Sequence, residues 1–218
     1  MSLYPLGISR SRDIPSLPKQ AAGPVDIRWS LAGELACAFI DAPHQPVPPM
    51  LHATALDAIH RRICVLPVRF GVVLHDATEI RSMLDERHDE LLDHLDRLDR
   101  TCEIGLRIAP PRPPEMHAAL SKTQSPLAYI EGRRSHYRRA DDNTERDRLI
   151  VQQVVERLCG CYRQWRKLVS SPFCPIRLAF LIERDREAAF RTRLESTCST
   201  DWEGQCVILG PWPPYSFV

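Results

Sequence analysis

Nine glycines are scattered through 218 residues, and none falls into a loop built to cradle phosphate. The sequence has no G-x-x-x-x-G-K-[ST] loop, no G-x-G-x-x-G turn, no G-x-S-x-G elbow and no H-E-x-x-H pair. The residue patterns of nucleotide binding, serine hydrolysis and zinc proteolysis are therefore missing. Charge of one sign is missing as well. Lys plus Arg number 29 against 28 Asp plus Glu, so a net charge of +1 sets up no field toward nucleic acid or an acidic membrane. The longest apolar runs, Leu35 to Ile40 and Leu178 to Ile182, are far too short to span a bilayer. Met1 to Arg12 lacks the basic stretch and apolar run of a secretory signal. A soluble, cytoplasmic protein is expected. The eight cysteines include no C-x-x-C pair and no histidine at zinc-finger spacing, so buried, reduced thiols are expected. Cys159-Gly160-Cys161 stands apart, but on a helix these side chains would point about 200° from each other, a poor chelate.

What is present is ordinary globular material, 44% hydrophobic and 26% charged, stiffened by 19 prolines. A chain of this length buries a core without staples. Tyr4 to Ser9, Ile27 to Ser30 and Glu34 to Asp41 read as strands, the last two joined by a turn at Gly33, and Arg10 to Gly23 reads as loop. Pro43 to Pro49 is expected to be an exposed, extended linker. Leu51, Ala55, Ile59 and Ile63 fall at helical spacing. Cys64 to Val73 follows as a strand, expected at an edge or with a bulge because Pro67 lacks a backbone donor. Asp76 to Arg100 predicts one long amphipathic helix, with Ile80, Leu84, Leu91, Leu95 and Leu98 as its apolar stripe and Asp76 or Thr78 as its cap. Glu103 to Ile108 alternates as a half-buried strand. Helices are expected at Pro126 to Arg139 and Asn143 to Ser170, a strand at Arg177 to Glu183, a helix at Asp185 to Ser196 and a strand at Gln205 to Leu209. The alternation predicts an α+β protein with helices on one face of each sheet. It is divided into two small domains, residues 1–101 and 102–218.

No candidate catalytic site survives inspection. His52 and His60 bracket one predicted helix, while His88 and His94 lie on different faces of another, so surface or interface positions are expected and no metal site. Arg133, Arg134, Arg138 and Arg139 with Tyr137 resemble a phosphate-binding face, but Asp141, Asp142, Glu145 and Asp147 follow at once and cancel it. Seven carboxylates between Asp85 and Asp99 are interleaved with Arg81, Arg87, Arg97 and Arg100. That is the pattern of solvent-facing ion pairs. Neither a cofactor nor an enzymatic activity is expected.

Two stretches are more specific. Val65-Leu66-Pro67-Val68-Arg69-Phe70-Gly71 precedes the acidic helix, and the chain closes on Gly210-Pro211-Trp212-Pro213-Pro214-Tyr215-Ser216-Phe217-Val218. In this order and separation they resemble the gas vesicle protein F/L family, whose members carry an L-P-[VL]-R-F-G strand before an acidic helix and end on G-P-W-P-P-Y-S-F. Asp89-Glu90-Leu91-Leu92, Leu127-Ala128-Tyr129-Ile130 and Ala179-Phe180-Leu181-Ile182-Glu183 extend the likeness over nearly the whole chain. Cys159-Gly160-Cys161 has no place in that pattern. The resemblance implies two ferredoxin-like or modified ferredoxin-like domains. It also implies a role in building gas vesicles, association with the small hydrophobic shell protein and other accessory proteins, and no catalytic activity. An adaptor serving another hydrophobic client on the same scaffold is the competing expectation. Within the signatures, Trp212, Tyr215 and Phe217 are the candidate partner-binding residues, the alternative being that these rings pack back on their own domain and lock the last strand. Arg69, Phe70 and Gly71 are the candidate structural ones, with Arg69 expected to pair with a carboxylate of a neighbouring element, an exposed partner contact being the alternative.

Overall fold

A computed structural model describes residues 2–16, 26–41, 47–109, 145–170, 176–201 and 205–218. The expected helix at 126–139, the basic cluster beside it, Cys174 and the start of the proline-rich 109–115 turn-off beyond Ala109 lie outside these residues. The strands are β1 (Leu3–Arg10), β2 (Arg28–Ala32), β3 (Leu35–Asp41), β4 (Leu66–Pro67), β5 (Thr101–Ala109), β6 (Gln164–Lys167), β7 (Ile176–Glu183) and β8 (Gln205–Trp212). The helices are α1 (Pro49–His60), α2 (Ala77–Glu86), α3 (His88–Leu98), α4 (residues 145–157) and α5 (Glu187–Asp201). Short 3-10 turns occupy Ser11–Ser16 and Arg184–Arg186.

The strands form two antiparallel four-stranded sheets, ordered β2-β3-β1-β4 and β6-β7-β5-β8. Counted from its own first strand, each sheet has the same order, second-third-first-fourth. The segment β5-α4-β6-β7-α5-β8 is a full βαββαβ succession of the ferredoxin-like kind. The first sheet has α1 between β3 and β4, and the 3-10 turn after β1. The halves thus repeat in architecture without repeating in sequence.

The chain divides into two compact units. One comprises Met1–Ile104, Leu181–Glu187 and Gly210–Val218; the other comprises Gly105–Phe180 and Ala188–Leu209. In the first, α1 turns Ala55, Leu56 and Ile59 onto Tyr4, Leu6, Ala38 and Ile40. Successive residues of β3 from Leu35 to Ile40 are all buried, so both faces of this central strand are covered, where helices on one face only were expected. β4 does lie at the sheet edge, where Pro67 needs no ladder donor. In the second unit the ring of Phe180 meets those of Tyr162 and Phe190, each at 5.5 Å between centroids.

Several elements depart from the sequence reading. The predicted helix 76–100 is two, broken at Arg87, whose backbone leaves helical geometry (φ −120°) while its guanidinium grips the Glu90 carboxylate at 2.7 and 2.8 Å. Asp76 is the cap: its carboxylate accepts the Thr78 and Glu79 amides at 2.7 and 3.0 Å. The expected stripe Ile80, Leu84, Leu91, Leu95 and Leu98 is buried throughout. Pro49 opens α1 instead of belonging to a linker, and Val47 before it is buried. β5 is buried on both faces rather than one, Glu103 included. The helix from 145 stops at residue 157, three residues before Gly160, whose left-handed backbone (φ 80°) turns the chain into β6. Trp165 and Val169, which fall within the helix expected at Asn143 to Ser170, are instead exposed on and after an edge strand.

Candidate functional site

The closing segment belongs to the first unit, and its own chemistry holds it there. β8 runs on to Trp212, beyond the Leu209 end expected from its prolines. The bend is made at Gly210, with φ 102°; a Cβ there would stand 2.6 Å from the Glu103 carbonyl oxygen, so only glycine fits. Pro213 and Pro214 are buried, and two tight turns follow, Tyr215 N–H to the Pro213 carbonyl at 2.7 Å and Phe217 N–H to the Pro214 carbonyl at 3.0 Å. The backbone N–H and the hydroxyl of Ser216 both donate to the Glu103 carboxylate, at 2.7 and 2.8 Å. The Arg97 guanidinium donates to the Phe217 carbonyl at 2.7 Å. The Phe217 ring is wholly buried.

Trp212 and Tyr215 face outward, 37% and 41% exposed. Partial burial, with the carboxylates of Asp57 and Glu103 nearby, pushes the Tyr215 hydroxyl up to about 12, so the phenol stays neutral at physiological pH. The three aromatics singled out from sequence therefore part company: Phe217 is an internal plug, and the other two form surface.

The Leu66-Pro67-Val68-Arg69-Phe70-Gly71 segment is also rearranged from expectation. Only Leu66 and Pro67 are strand; the chain then turns, with Val72 N–H 3.4 Å from the Arg69 carbonyl. Because the extended strand ends early, Arg69 points to solvent and makes no ion pair with a carboxylate among the described residues. Gly71 (φ 91°) donates its N–H to the Tyr4 hydroxyl at 3.0 Å. Phe70, 48% exposed, stands edge-on to Tyr4 and to His52, with centroids 6.1 and 5.6 Å apart. Tyr4 is thus bonded to the turn of this signature.

His52 and His60 are buried, not superficial, because α1 turns positions 52, 55, 56, 59 and 60 inward together. Burial lowers the pKa of His52. Burial, then the positive Arg184, lowers that of His60 to about 3, and an Arg184 N–H lies 3.1 Å from its ring nitrogen. Both are neutral packing residues. Among the described residues no cluster of three or more His, Cys, Asp or Glu side chains could hold a metal, and no helix is long and apolar enough to cross a membrane.

Tyr4, Arg97 and Glu103 were not singled out from sequence. A signal existed for Glu103, a lone carboxylate inside the apolar run Thr101 to Ile108, which requires a dedicated partner once buried.

The pattern of the family described as Gas vesicle synthesis protein GvpL/GvpF matches residues 7–218. Gas vesicle protein F of Streptomyces sp. (strain CB03234) is 29% identical over 238 aligned positions covering all of both chains. Gas vesicle protein L of the same strain is 27% identical over 180 positions, 76% of this chain and 66% of that one. The crystal structure of GvpF from Anabaena sp. PCC7120 superposes with a TM-score of 0.79 at 18% identity, covering 99% of this chain and 95% of that one. GvpF from Microcystis aeruginosa gives 0.75 at 16% identity, with 99% and 98% covered. Its sequence matched from Gly7 to the last residue, and its α+β architecture shared with these structures, this chain belongs to the gas vesicle synthesis protein GvpL/GvpF family.

Proposed function

We propose that the protein acts in gas vesicle assembly as an accessory factor that binds the small hydrophobic shell protein, and that Trp212 and Tyr215 make the contact. The observation that carries this reading is the division of labour in the tail. Phe217, Ser216 and Arg97 fix the segment, while Trp212 and Tyr215 remain exposed on it. Large apolar rings left in water are unfavourable unless a partner covers them. Two rings on a segment stiffened by Pro211, Pro213 and Pro214 meet that partner with little further loss of conformational freedom. Phe70 belongs to the same reading, an exposed ring braced from behind by Tyr4 and His52. The role is one of binding, carried out in the cytoplasm where the shell is built, with no catalytic step assigned to any residue.

The test is capture of the shell protein by the tagged full-length chain during vesicle formation, followed in soluble and vesicle fractions. Wild type should retain the shell protein. Trp212→Ala and Tyr215→Ala should lose it while keeping wild-type circular dichroism and melting temperature. Equal capture by folded single and double variants would overturn the contact assignment, and no capture by wild type would overturn the shell-binding role.

A further inference from the structure

We infer that the outer edge of β6 is a docking surface for an acidic peptide segment of a partner protein, which adds to the second sheet as a further strand. β6 closes one side of that sheet, in the order β6-β7-β5-β8, and all four of its residues are exposed. The Leu168 N–H donates to the Arg177 carbonyl at 2.8 Å, which fixes the phase of the ladder with β7. Backbone groups of an antiparallel strand alternate in direction. Gln164 and Arg166 therefore bond inward like Leu168, and Trp165 and Lys167 turn their N–H and C=O groups outward. An edge of this kind takes an extended peptide through its main chain. Trp165 and Lys167 also share one face of the strand, the indole residue 37% exposed and the ammonium in no ion pair among the described residues.

The charge of the surrounding chain selects the occupant. From Arg157 to Ile182 the sequence has no Asp or Glu, and Arg157, Arg163, Arg166, Lys167 and Arg177 all fall there. Arg177 is committed to the Val169 carbonyl at 3.1 Å, and Arg157, Arg163 and Arg166 also have contacts within the chain, so Lys167 is the cation offered at the edge. A second copy of β6 would set like charges opposite each other, which is unfavourable across a strand pair, whereas carboxylates at alternate positions of an incoming strand meet Lys167. The first sheet offers no such cation at its β2 edge: Arg28 is already bonded to Asp41 at 2.9 Å and lies over the Phe39 ring. A polynucleotide needs a long cationic track with several stacking rings, and β6 has one ring in a chain of net charge +1. Four residues make a short edge, so the contact is weak and transient. β6 lies in the second unit and shares no residue with the tail, so this surface stands whether or not Trp212 and Tyr215 bind the shell protein.

The experiment titrates the isotope-labelled full-length chain, followed by NMR, with a blocked Thr-Glu-Thr-Glu-Thr-Glu peptide and its Thr-Lys-Thr-Lys-Thr-Lys counterpart. The glutamate peptide should bind about tenfold more tightly than the lysine peptide. It should slow hydrogen exchange at the Trp165 and Lys167 amides and leave that of Leu168, already bonded, unchanged. N-methylation of every peptide amide should remove the binding, because the main chain carries it. Lys167→Glu, at an unchanged melting temperature, should cost the glutamate peptide about tenfold in affinity and the lysine peptide nothing. Equal binding of the two peptides, protection that misses Trp165 and Lys167, or full binding of the N-methylated peptide would each overturn the proposal. So would undiminished binding by a folded Lys167→Glu chain, preferential binding of oligothymidylate, or no binding at all. Where Lys167→Glu does not fold, the peptide comparison on the wild-type chain decides alone.

Discussion

Replacing Phe217 by alanine empties a site that the fold leaves no other side chain to fill, because the ring is wholly buried and the backbone on either side is fixed by hydrogen bonds. Loss of a buried phenylalanine with its cavity costs roughly 3–5 kcal/mol. The lower figure applies if the tail stays down, since the Arg97 bond goes to the backbone carbonyl and survives the substitution. The upper figure applies if the tail lifts. Glu103, only 3% exposed, then loses both Ser216 donors, and bonds to a charged group are worth about 1.5–3 kcal/mol each before water re-enters. A loss of about 4 kcal/mol corresponds to a melting point roughly 8–16 °C lower in a chain of this size. Urea unfolding followed by circular dichroism measures it, with an unchanged slope showing that the unfolded state is not involved. Trp212→Ala is the comparison: with a third of the residue already in water, it should cost less than about 1.5 kcal/mol. If Phe217→Ala stays within about 1 kcal/mol of wild type, or Trp212→Ala is the more damaging, the division between plug and surface is wrong.

Other consequences follow from single groups. His60 is held near a pKa of about 3 against 6.5 when unfolded, so its contribution is intact above pH 6.5 and is lost as pH falls toward 3. By pH 5 the loss is about 2 kcal/mol, with His52 adding in the same direction, and His60→Gln, which keeps an acceptor for Arg184, should flatten the slope between pH 7.5 and 5 in urea titrations. An unchanged slope would remove His60 as its source. Gly210→Ala forces a Cβ against the Glu103 carbonyl at a left-handed backbone position and should cost about 3 kcal/mol by thermal melting, whereas wild-type stability would mean the bend is not held as described. Asp76→Ala removes the acceptor of two amides at the start of α2 and should cost about 1 kcal/mol, while Asp76→Asn should recover most of it.

The sequence carried the elements whose pattern is local. Leu35 to Ile40, Ile176 to Ile182 and the stripe from Ile80 to Leu98 are dense in apolar side chains at the right period, and each was read correctly as to type. It misled where a single backbone position overrides the period. Val151, Val154 and Leu158 continue smoothly in register to Tyr162 and Trp165, yet the left-handed Gly160 ends the helix and the remainder becomes an edge strand. A glycine inside a helical pattern weakens it by about 1 kcal/mol, and the same residue is the preferred stop. Arg87 shows the converse case. No proline or glycine marks the break between α2 and α3, and its pairing with Glu90 is indistinguishable in sequence from the surface ion pairs around it.

The tail was legible as a motif and not as a device. Its prolines disfavour a regular strand and its rings need burial or a partner, but nothing local distinguishes Phe217 from Trp212 or Tyr215. What separates them is Glu103, a strand residue far away in sequence that accepts both Ser216 donors and so dictates which way the neighbouring side chains turn. With Ser216 held, Phe217 is directed inward and Tyr215 outward. Arg69 is exposed where a carboxylate partner was expected, for a comparable reason. The alternation that gave it an inward partner assumed that the strand continued past Pro67, and the turn closed by Gly71 on the Tyr4 hydroxyl ends it first. Tyr4 thereby fixes that signature by a hydrogen bond. The turn is thus held only once β1 is in place, since its second residue, Tyr4, is the group that accepts from the Gly71 amide.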